Sequence, residues 1–147
     1  MSGISYELSV QWGDTDAAGI VFYPNFYKWM DQATHHFFTS IGFATSTLMR
    51  EEEIGLPLLE TNCKFFQPLV FEDAIVIRTS VAEIRDKVFK LQHRFYKEDE
   101  LVAEGSEVRA WTSFGGKKPK AVSIPGIIKE KMVAAESSAS RVRALVC

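Results

Sequence analysis

The 147-residue sequence contains few cysteines and histidines, and these are not grouped as metal ligands usually are. Its two cysteines, Cys63 and Cys147, form neither a CxxC pair nor another metal-binding spacing, so a disulfide framework is not indicated. The three histidines form no HExxH motif. We therefore expect a reduced, cytoplasmic chain that holds no metal.

Charge and hydropathy exclude two further classes of protein. The formal net charge at pH 7 is −2, whereas nucleic-acid binding needs clustered Lys and Arg to contact phosphates. Residues 1–7 have neither the basic nor the apolar region of a signal peptide. No stretch approaches the roughly 18 apolar residues of a membrane-spanning helix. We expect neither a nucleic-acid partner nor a membrane partner.

What the sequence does contain is aromatic side chains. It has 11 Phe and 3 Trp, and 46% of its residues are hydrophobic. A chain of this length forms one domain. The surplus of aromatic residues indicates a subunit interface or a ligand cleft, and an aromatic-rich core is the alternative.

Hydrophobic spacing predicts a strand followed by one long helix. Residues 4–12 alternate apolar and polar side chains, which is typical of a half-buried strand. Pro24 suits the first turn of a helix, and Gly42 suits its end. Between them, apolar residues recur every three or four positions, as one face of a helix requires: Phe26, Met30, Ala33, Phe37 and Ile41.

The second half of the chain has the pattern of an antiparallel sheet. Short polar connections separate its apolar-rich runs, whereas parallel strands would need longer crossovers. The predicted strands are 56–66, 74–84, 88–96, 101–114 and a short one within 120–124.

Two shorter helices complete the prediction, over 45–53 and 125–133, and residues 134–147 are predicted to form a flexible tail. This order of elements predicts a single α+β domain over residues 1–133. One long helix packs against one antiparallel sheet in that arrangement.

Two carboxylates mark the segment between the first strand and the long helix. Asp14 and Asp16 precede a run of uncharged residues and then the helix start near Pro24. A carboxylate beside apolar side chains is costly unless it is hydrogen-bonded or used. The unpaired N–H groups of a helix N-terminus suit an oxyanion, and the two features together are typical of an acyl-transfer site. Alternatively, both aspartates are turn or capping residues; Asp14 is expected to hold the turn in either case.

The same segment resembles a known family signature. The run G-D-T-D-A-A-G-I-V-F-Y-P-N at residues 13–25, with W-M-D at residues 29–31, is similar to the motif of the 4-hydroxybenzoyl-CoA thioesterase family of hot-dog proteins. The order of elements fits that family along residues 4–125. The resemblance implies a hot-dog fold, in which an antiparallel sheet wraps a long central helix. It also implies a homodimer or homotetramer whose subunits pair their sheets, with active sites at the interface.

The resemblance further implies roles for individual residues. Asp16 becomes the catalytic carboxylate, either as a nucleophile or as a general base on water. The backbone N–H of Tyr23 polarises the thioester carbonyl, while Phe22 and Trp29 help to shape the acyl pocket. Asp31 becomes a candidate to bind a polar group of the acyl part; alternatively, it is a solvated helix residue.

A basic cluster is expected to bind the phosphates of coenzyme A. In the resembled family it lies at a hairpin turn, which corresponds here to Arg85 and Lys87, with Asp86 where a third basic residue is expected. A second basic patch is formed by Lys117, Lys118 and Lys120. Solvent-facing charge is the alternative interpretation of both groups.

The expected function is hydrolysis of an acyl-CoA thioester. An aryl or hydroxyaryl acyl group is favoured because Tyr23, Trp29 and Asp31 resemble the aryl-CoA branch of the family. Thiolate is a good leaving group, so no cofactor is expected apart from the CoA of the substrate. The alternatives are a thioesterase for short or medium aliphatic chains, a hot-dog dehydratase and a non-catalytic acyl-CoA-binding protein. A dehydratase usually needs a histidine close to the acid, and none lies in the Asp16 loop.

Overall fold

The computed structural model describes residues 3–135 and confirms the predicted α+β hot-dog architecture. A five-stranded antiparallel sheet has the strand order β1-β4-β5-β6-β3, and a three-stranded sheet has the order β2-β7-β8. The strands are β1 (Ile4–Ser9), β2 (Ile54–Gly55), β3 (Leu58–Phe65), β4 (Ala74–Ile84), β5 (Val88–Lys97), β6 (Glu100–Ala110), β7 (Thr112–Ser113) and β8 (Lys120–Ala121). The helices are α1 (Pro24–Ser40), α2 (Thr45–Glu52) and α3 (126–135).

The long helix α1 begins where proline predicts. Pro24 is its first residue, and its buried face includes Phe26, Met30 and Phe37. The backbone of β6 lies directly beneath this face, because a side chain at Gly105 would come within 2.5 Å of the Met30 sulfur. The small residue therefore sets how closely the helix approaches the sheet.

Two groups of buried apolar side chains fill the space between α1 and the sheet. One lies near the start of α1 and includes Phe26, Leu69 and Phe95. The other lies near its end, where α3 covers the sheet with Ile128 and Met132. Burial of this apolar area stabilises the fold by roughly 25 cal/mol for each Å² removed from water.

The first strand is shorter than its sequence pattern predicts. The alternation was expected to continue to residue 12, but β1 ends at Ser9 and Trp12 is 76% exposed. The Asp14 carboxylate accepts a hydrogen bond from the Gln11 N–H at 2.8 Å, and residues 12–14 form a turn of 3-10 helix. Because this local hydrogen bond competes with strand pairing, the chain leaves the sheet early.

Two further boundaries differ from the prediction. The expected strand 101–114 is divided at Trp111, whose N–H bonds to the Lys87 carbonyl at 2.8 Å. The third helix extends to residue 135 instead of ending at 133, and the rest of the predicted tail lies outside the described residues. Between residues 3 and 135, no helix combines the length and hydropathy needed to cross a membrane.

Candidate active site

A compact loop joins β1 to α1 and carries the two aspartates. Asp14 organises it: its carboxylate binds the Gln11 N–H, and its carbonyl accepts hydrogen bonds from the Phe22 N–H and the Asn25 side chain, each at 2.8 Å. The expectation that Asp14 is a turn residue is confirmed. The contacts tie the start of the loop to the start of the helix.

Asp16 lies at the exposed tip of this loop. Its N–H bonds to the Ile20 carbonyl at 2.9 Å, and its carbonyl accepts the Gly19 N–H at 2.9 Å. Gly19 has φ +81°, a conformation that glycine adopts without strain. The Asp16 Oδ1 atom accepts the Ala18 N–H at 2.8 Å. Asp16 is therefore a turn residue by geometry, and the same contacts hold its carboxylate in one place.

The backbone at the start of α1 supplies a hydrogen-bond donor. Tyr23 immediately precedes the first helical residue, Pro24, which has no N–H of its own. Within residues 3–135, the Tyr23 N–H has no hydrogen-bond acceptor. An unpaired N–H at the positive end of a helix can stabilise the oxyanion that forms on an attacked carbonyl.

An apolar cleft of about 270 Å³ opens next to this donor, between the loop and the end of β3. Among its lining residues are Tyr23, Phe26, Phe65 and Leu69. Val21 fixes this wall, because its N–H bonds to the Leu69 carbonyl at 2.8 Å. A cleft of this size and character suits a small hydrophobic acyl group.

The two aromatic residues expected to shape the acyl pocket differ in position. Phe22 is half-exposed and packs edge-on against Tyr23, with 5.5 Å between the ring centroids. Trp29 is only 5% exposed and lies within the core, edge-on to Phe26. Within a single chain, Trp29 therefore lies behind Phe26, a residue that lines the cleft, and packs against it from the core side.

Asp31 lies on the side of α1 and has two cationic or potentially cationic neighbours. Its Oδ1 atom is 2.9 Å from the Arg109 guanidinium and 3.3 Å from His35 Nε2. The Asp31 side chain is half-exposed, whereas Arg109 is buried. Asp31 is therefore a half-exposed carboxylate that Arg109 holds by one oxygen.

A buried polar network extends from Arg109 into the core. Arg109 binds Glu107, Glu107 also contacts His93 and Thr34, and His93 contacts Thr79 at 2.8 Å. Burial alone would raise the pKa of Glu107, but hydrogen bonds from His93 and Arg109 outweigh it and lower that pKa to about 2. The carboxylate is thus ionised at neutral pH.

This network was not predicted from the sequence, although strand parity indicates it. His93 shares the face of β5 that carries Phe89, Leu91 and Phe95. The antiparallel register then pairs Phe89 with Arg109. Charged residues with the parity of a buried face indicate a polar network within the core.

The structure places Arg85 and Lys87 at the far end of the sheet from Asp16. Asp16 follows the end of β1, which pairs with the beginning of β4 at Ala74. Arg85 follows the other end of β4, so the length of that strand, roughly 30 Å, separates the two groups. One chain does not bring its own Arg85 and Lys87 to its own Asp16.

Asp86, which stands where a third basic residue was expected, has a structural contact. Its carboxylate accepts a hydrogen bond from the Ser123 hydroxyl at 3.1 Å, and its carbonyl accepts the Ile124 N–H at 2.8 Å. Asp86 therefore attaches the chain before α3 to the β4–β5 turn. Arg85 pairs with Glu83 at 2.7 Å and is largely exposed.

The sequence of this chain is similar to those of known thioesterases. The family model of the thioesterase-like superfamily matches residues 10–135. A 4-hydroxybenzoyl-CoA thioesterase from Pseudomonas sp. (strain CBS-3) is 27% identical over 129 residues, which cover 83% of this chain and 92% of the relative.

Two solved structures are also similar. A gentisyl-coenzyme A thioesterase is 46% identical, with a TM-score of 0.79 and coverage of 88% of this chain and 99% of the other. An aspartate-to-asparagine mutant of 4-hydroxybenzoyl-CoA thioesterase, complexed with 4-hydroxybenzoyl-CoA, is 27% identical, with a TM-score of 0.82. The matched region covers 88% of this chain and 97% of the mutant's chain.

Proposed function

Because this chain belongs to the thioesterase-like superfamily, we propose that it hydrolyses hydroxyaryl-CoA thioesters to a free acid and CoA, with Asp16 as the catalytic carboxylate. The observation that carries the proposal is the placement of two groups on one small loop. Asp16 is fixed at the loop tip, and the unpaired Tyr23 N–H lies at the adjoining wall of an apolar cleft.

The proposed reaction follows from these two groups. The Tyr23 N–H binds the thioester oxygen and stabilises its negative charge as the carbonyl is attacked. Asp16 either attacks the carbonyl carbon itself or removes a proton from an attacking water. In both routes the C–S bond breaks and CoA leaves as thiolate. The direct route forms a mixed anhydride with Asp16, and water then hydrolyses it to the acid.

The acyl group is assigned from the site and from the relatives together. The cleft is apolar, so it suits an aromatic ring. Asp31 is not among the residues that line this cleft, and its role towards a ring hydroxyl rests on the family resemblance. The similar proteins named above act on 4-hydroxybenzoyl-CoA and gentisyl-CoA, both of which are hydroxylated aryl esters. Aliphatic esters lack the hydroxyl that Asp31 would bind.

A second copy of the chain would complete the site. The edge strand β3 leaves large apolar side chains exposed, namely Leu58, Leu59, Phe65 and the adjacent Phe66. Antiparallel pairing of two such edges about a two-fold axis sets opposite ends of the two sheets side by side. The Arg85 and Lys87 of one protomer would then lie nearer to the Asp16 loop of its partner, where they could bind the phosphates of CoA.

The test of this function is thiol release from a panel of CoA esters. The panel contains benzoyl, 4-hydroxybenzoyl, gentisyl, phenylacetyl, and short and medium aliphatic esters. We expect a hydroxyaryl ester to exceed the aliphatic esters, with kcat/KM above about 10⁴ M⁻¹s⁻¹. CoA-ester binding without turnover of any ester would replace hydrolysis by a binding function. Highest activity on an aliphatic ester would reject the acyl assignment alone.

A further inference from the structure

Away from the Asp16 loop, three polar side chains lie in line where α1 passes the start of α2. The Thr45 hydroxyl oxygen is 2.6 Å from His35 Nδ1, and His35 Nε2 is 3.3 Å from Asp31 Oδ1. Asp31 and His35 are one helical turn apart on α1, and Thr45 is the first residue of α2. A hydroxyl, an imidazole and a carboxylate in this order can serve as a nucleophile, its general base and the group that orients the base.

The two neighbours of His35 favour one position for the proton of its ring. An ionised carboxylate only accepts hydrogen bonds, so Asp31 favours a proton on His35 Nε2. In the neutral ring, Nδ1 is then the acceptor. The Thr45 hydroxyl therefore donates to Nδ1, which is the direction needed for His35 to remove the hydroxyl proton as a general base.

The carboxylate beside His35 is held by the core of the protein. Asp31 Oδ1 accepts a hydrogen bond from the buried Arg109 guanidinium at 2.9 Å. Arg109 also donates to Glu107 Oε2 at 2.7 Å and to the Leu56 carbonyl at 2.8 Å. Because these acceptors fix the plane of the guanidinium, Asp31 is held in position beside the imidazole.

An apolar cleft of about 340 Å³ opens beside Thr45 and His35, both of which line it. Its apolar lining comes from Met49, Ile54 and Leu56. A cleft of this size and character suits a small apolar acyl group.

This cleft is distinct from the one beside Tyr23. Leu56 lies two residues before β3 begins, whereas Phe65, which lines the cleft beside Tyr23, is the last residue of β3. The eight residues of that strand span roughly 25 Å. The two clefts therefore lie at opposite ends of the strand, and Asp16 cannot act in both.

The backbone next to Thr45 supplies a donor for an oxyanion. Among residues 3–135, the Ser46 N–H has no hydrogen-bond acceptor, and Ser46 lines the same cleft. It lies in the first turn of α2, where the helix dipole favours negative charge. The N–H of the residue that follows a nucleophile at a helix start is a known oxyanion donor in hydrolases.

We propose that Thr45, His35 and Asp31 form a separate hydrolytic site for small carboxylic esters with an apolar acyl group. The Thr45 oxygen attacks the ester carbonyl while its proton passes to His35 Nδ1, and the Ser46 N–H binds the oxyanion. The bond to the leaving alcohol breaks, and the alcohol takes the proton from His35. Water then hydrolyses the acyl-threonine by the same steps, which releases the acid and restores Thr45. The site goes beyond the proposed function and does not rest on it.

The experiment measures hydrolysis of p-nitrophenyl butyrate by full-length protein that carries Asp16→Asn, so that the Asp16 carboxylate contributes nothing. We expect this protein to match the wild type. Adding Thr45→Val or His35→Gln should lower kcat/KM about 100-fold, since the nucleophile or its general base is removed. Thr45→Ser keeps a hydroxyl and should retain activity. Asp31→Asn should lower kcat more than it changes KM, because it acts through His35.

A covalent probe identifies the nucleophile directly. Diisopropyl fluorophosphate phosphorylates activated hydroxyl groups, and peptide mass spectrometry locates the modified residue. We expect modification of Thr45 in the wild type and in Asp16→Asn, and its loss in His35→Gln. His36→Gln is the matched control, because His36 is the next residue on α1 and contacts the Tyr6 ring at 5.3 Å instead. Urea unfolding establishes that each variant is folded.

The outcomes distinguish this site from the one at Asp16. Hydrolysis of the butyrate ester that is lost in Asp16→Asn would overturn the proposal and assign that activity to the Asp16 cleft. No hydrolysis by the wild type, unchanged hydrolysis in Thr45→Val, or absence of the probe from Thr45 would each overturn it as well. Losses in Thr45→Val and His35→Gln that His36→Gln does not share would support it, whether or not any CoA ester is hydrolysed.

Discussion

The Asp16 carboxylate accepts the backbone N–H of Ala18 at 2.8 Å, so the residue proposed as catalytic also holds its own turn. Asp16→Ala removes this acceptor and should lower the free energy of unfolding by about 1 kcal/mol. Asp16→Asn keeps an acceptor and should change it by less than about 0.5 kcal/mol. Urea unfolding at neutral pH measures both. Loss of the folded state in Asp16→Ala would show that the loop is essential to the fold.

The basic residues of the β4–β5 turn should act on substrate binding more than on chemistry. Arg85→Ala and Lys87→Ala each remove a cation that can bind a CoA phosphate, so we expect KM to rise about tenfold. The value of kcat should change less than KM, since the contact is far from the reacting carbonyl. Steady-state kinetics with the best CoA ester measure both parameters.

Arg94→Ala is the control for this pair, because it removes an arginine from the middle of β5 and should leave KM unchanged. If KM is unchanged in both Arg85→Ala and Lys87→Ala, the phosphates are bound elsewhere. The loop that carries Lys117 and Lys118 would then be the next candidate.

The exposed edge of the sheet should mediate self-association. Leu59 is 59% exposed on β3, and Leu59→Arg introduces a charge that the apolar interface cannot pair. We expect sedimentation at about half the mass of the smallest wild-type assembly, together with loss of thioesterase activity. Val133→Arg is the matched control, because Val133 is 56% exposed on α3. Full activity of a Leu59→Arg monomer would contradict the shared site.

Glu107 should contribute to stability in a pH-dependent way. Its folded-state pKa is lowered from 4.5 to about 2. The contribution is therefore present above pH 4.5 and is lost as the pH falls towards 2, by roughly 3 kcal/mol in total. We expect wild type and Glu107→Gln to differ in unfolding free energy at pH 7 and to converge at low pH. Urea unfolding at several pH values measures this.

The exposed Glu130 on α3 provides the control, since Glu130→Gln should give the wild-type dependence on pH. A difference between wild type and Glu107→Gln that stays constant from pH 7 to pH 3 would show that the carboxylate is not held as an ion.

Local patterns predicted the elements that depend on neighbouring residues. The start of α1 followed from Pro24 and from the spacing of Phe26, Met30 and Phe37, because helix periodicity is a local property. The loop that joins β1 to α1 followed from its long motif. Trp12 was assigned to the first strand, since alternation alone does not reveal that Asp14 would hydrogen-bond to Gln11 and turn the chain.

Contacts and separations between residues far apart in the sequence could not be predicted from local patterns. The contact between Asp31 and Arg109 joins residues 78 positions apart, and it depends on the register of β6 beneath α1. The separation of Arg85 from Asp16 depends on which ends of β1 and β4 meet. Trp29 lies on the helix face that the core covers, which the motif resemblance did not distinguish from a cleft wall.

The most direct test of the central claim is turnover of the best hydroxyaryl-CoA ester by Asp16→Asn. This variant retains an acceptor for the Ala18 N–H while removing the negative charge, so it separates catalysis from loop structure. We predict a fall in kcat of at least about 10³-fold, with an unchanged unfolding midpoint. Asp99→Asn, in the β5–β6 turn, should retain full activity as the control. A folded Asp16→Asn protein with wild-type kcat would show that Asp16 is a turn residue only.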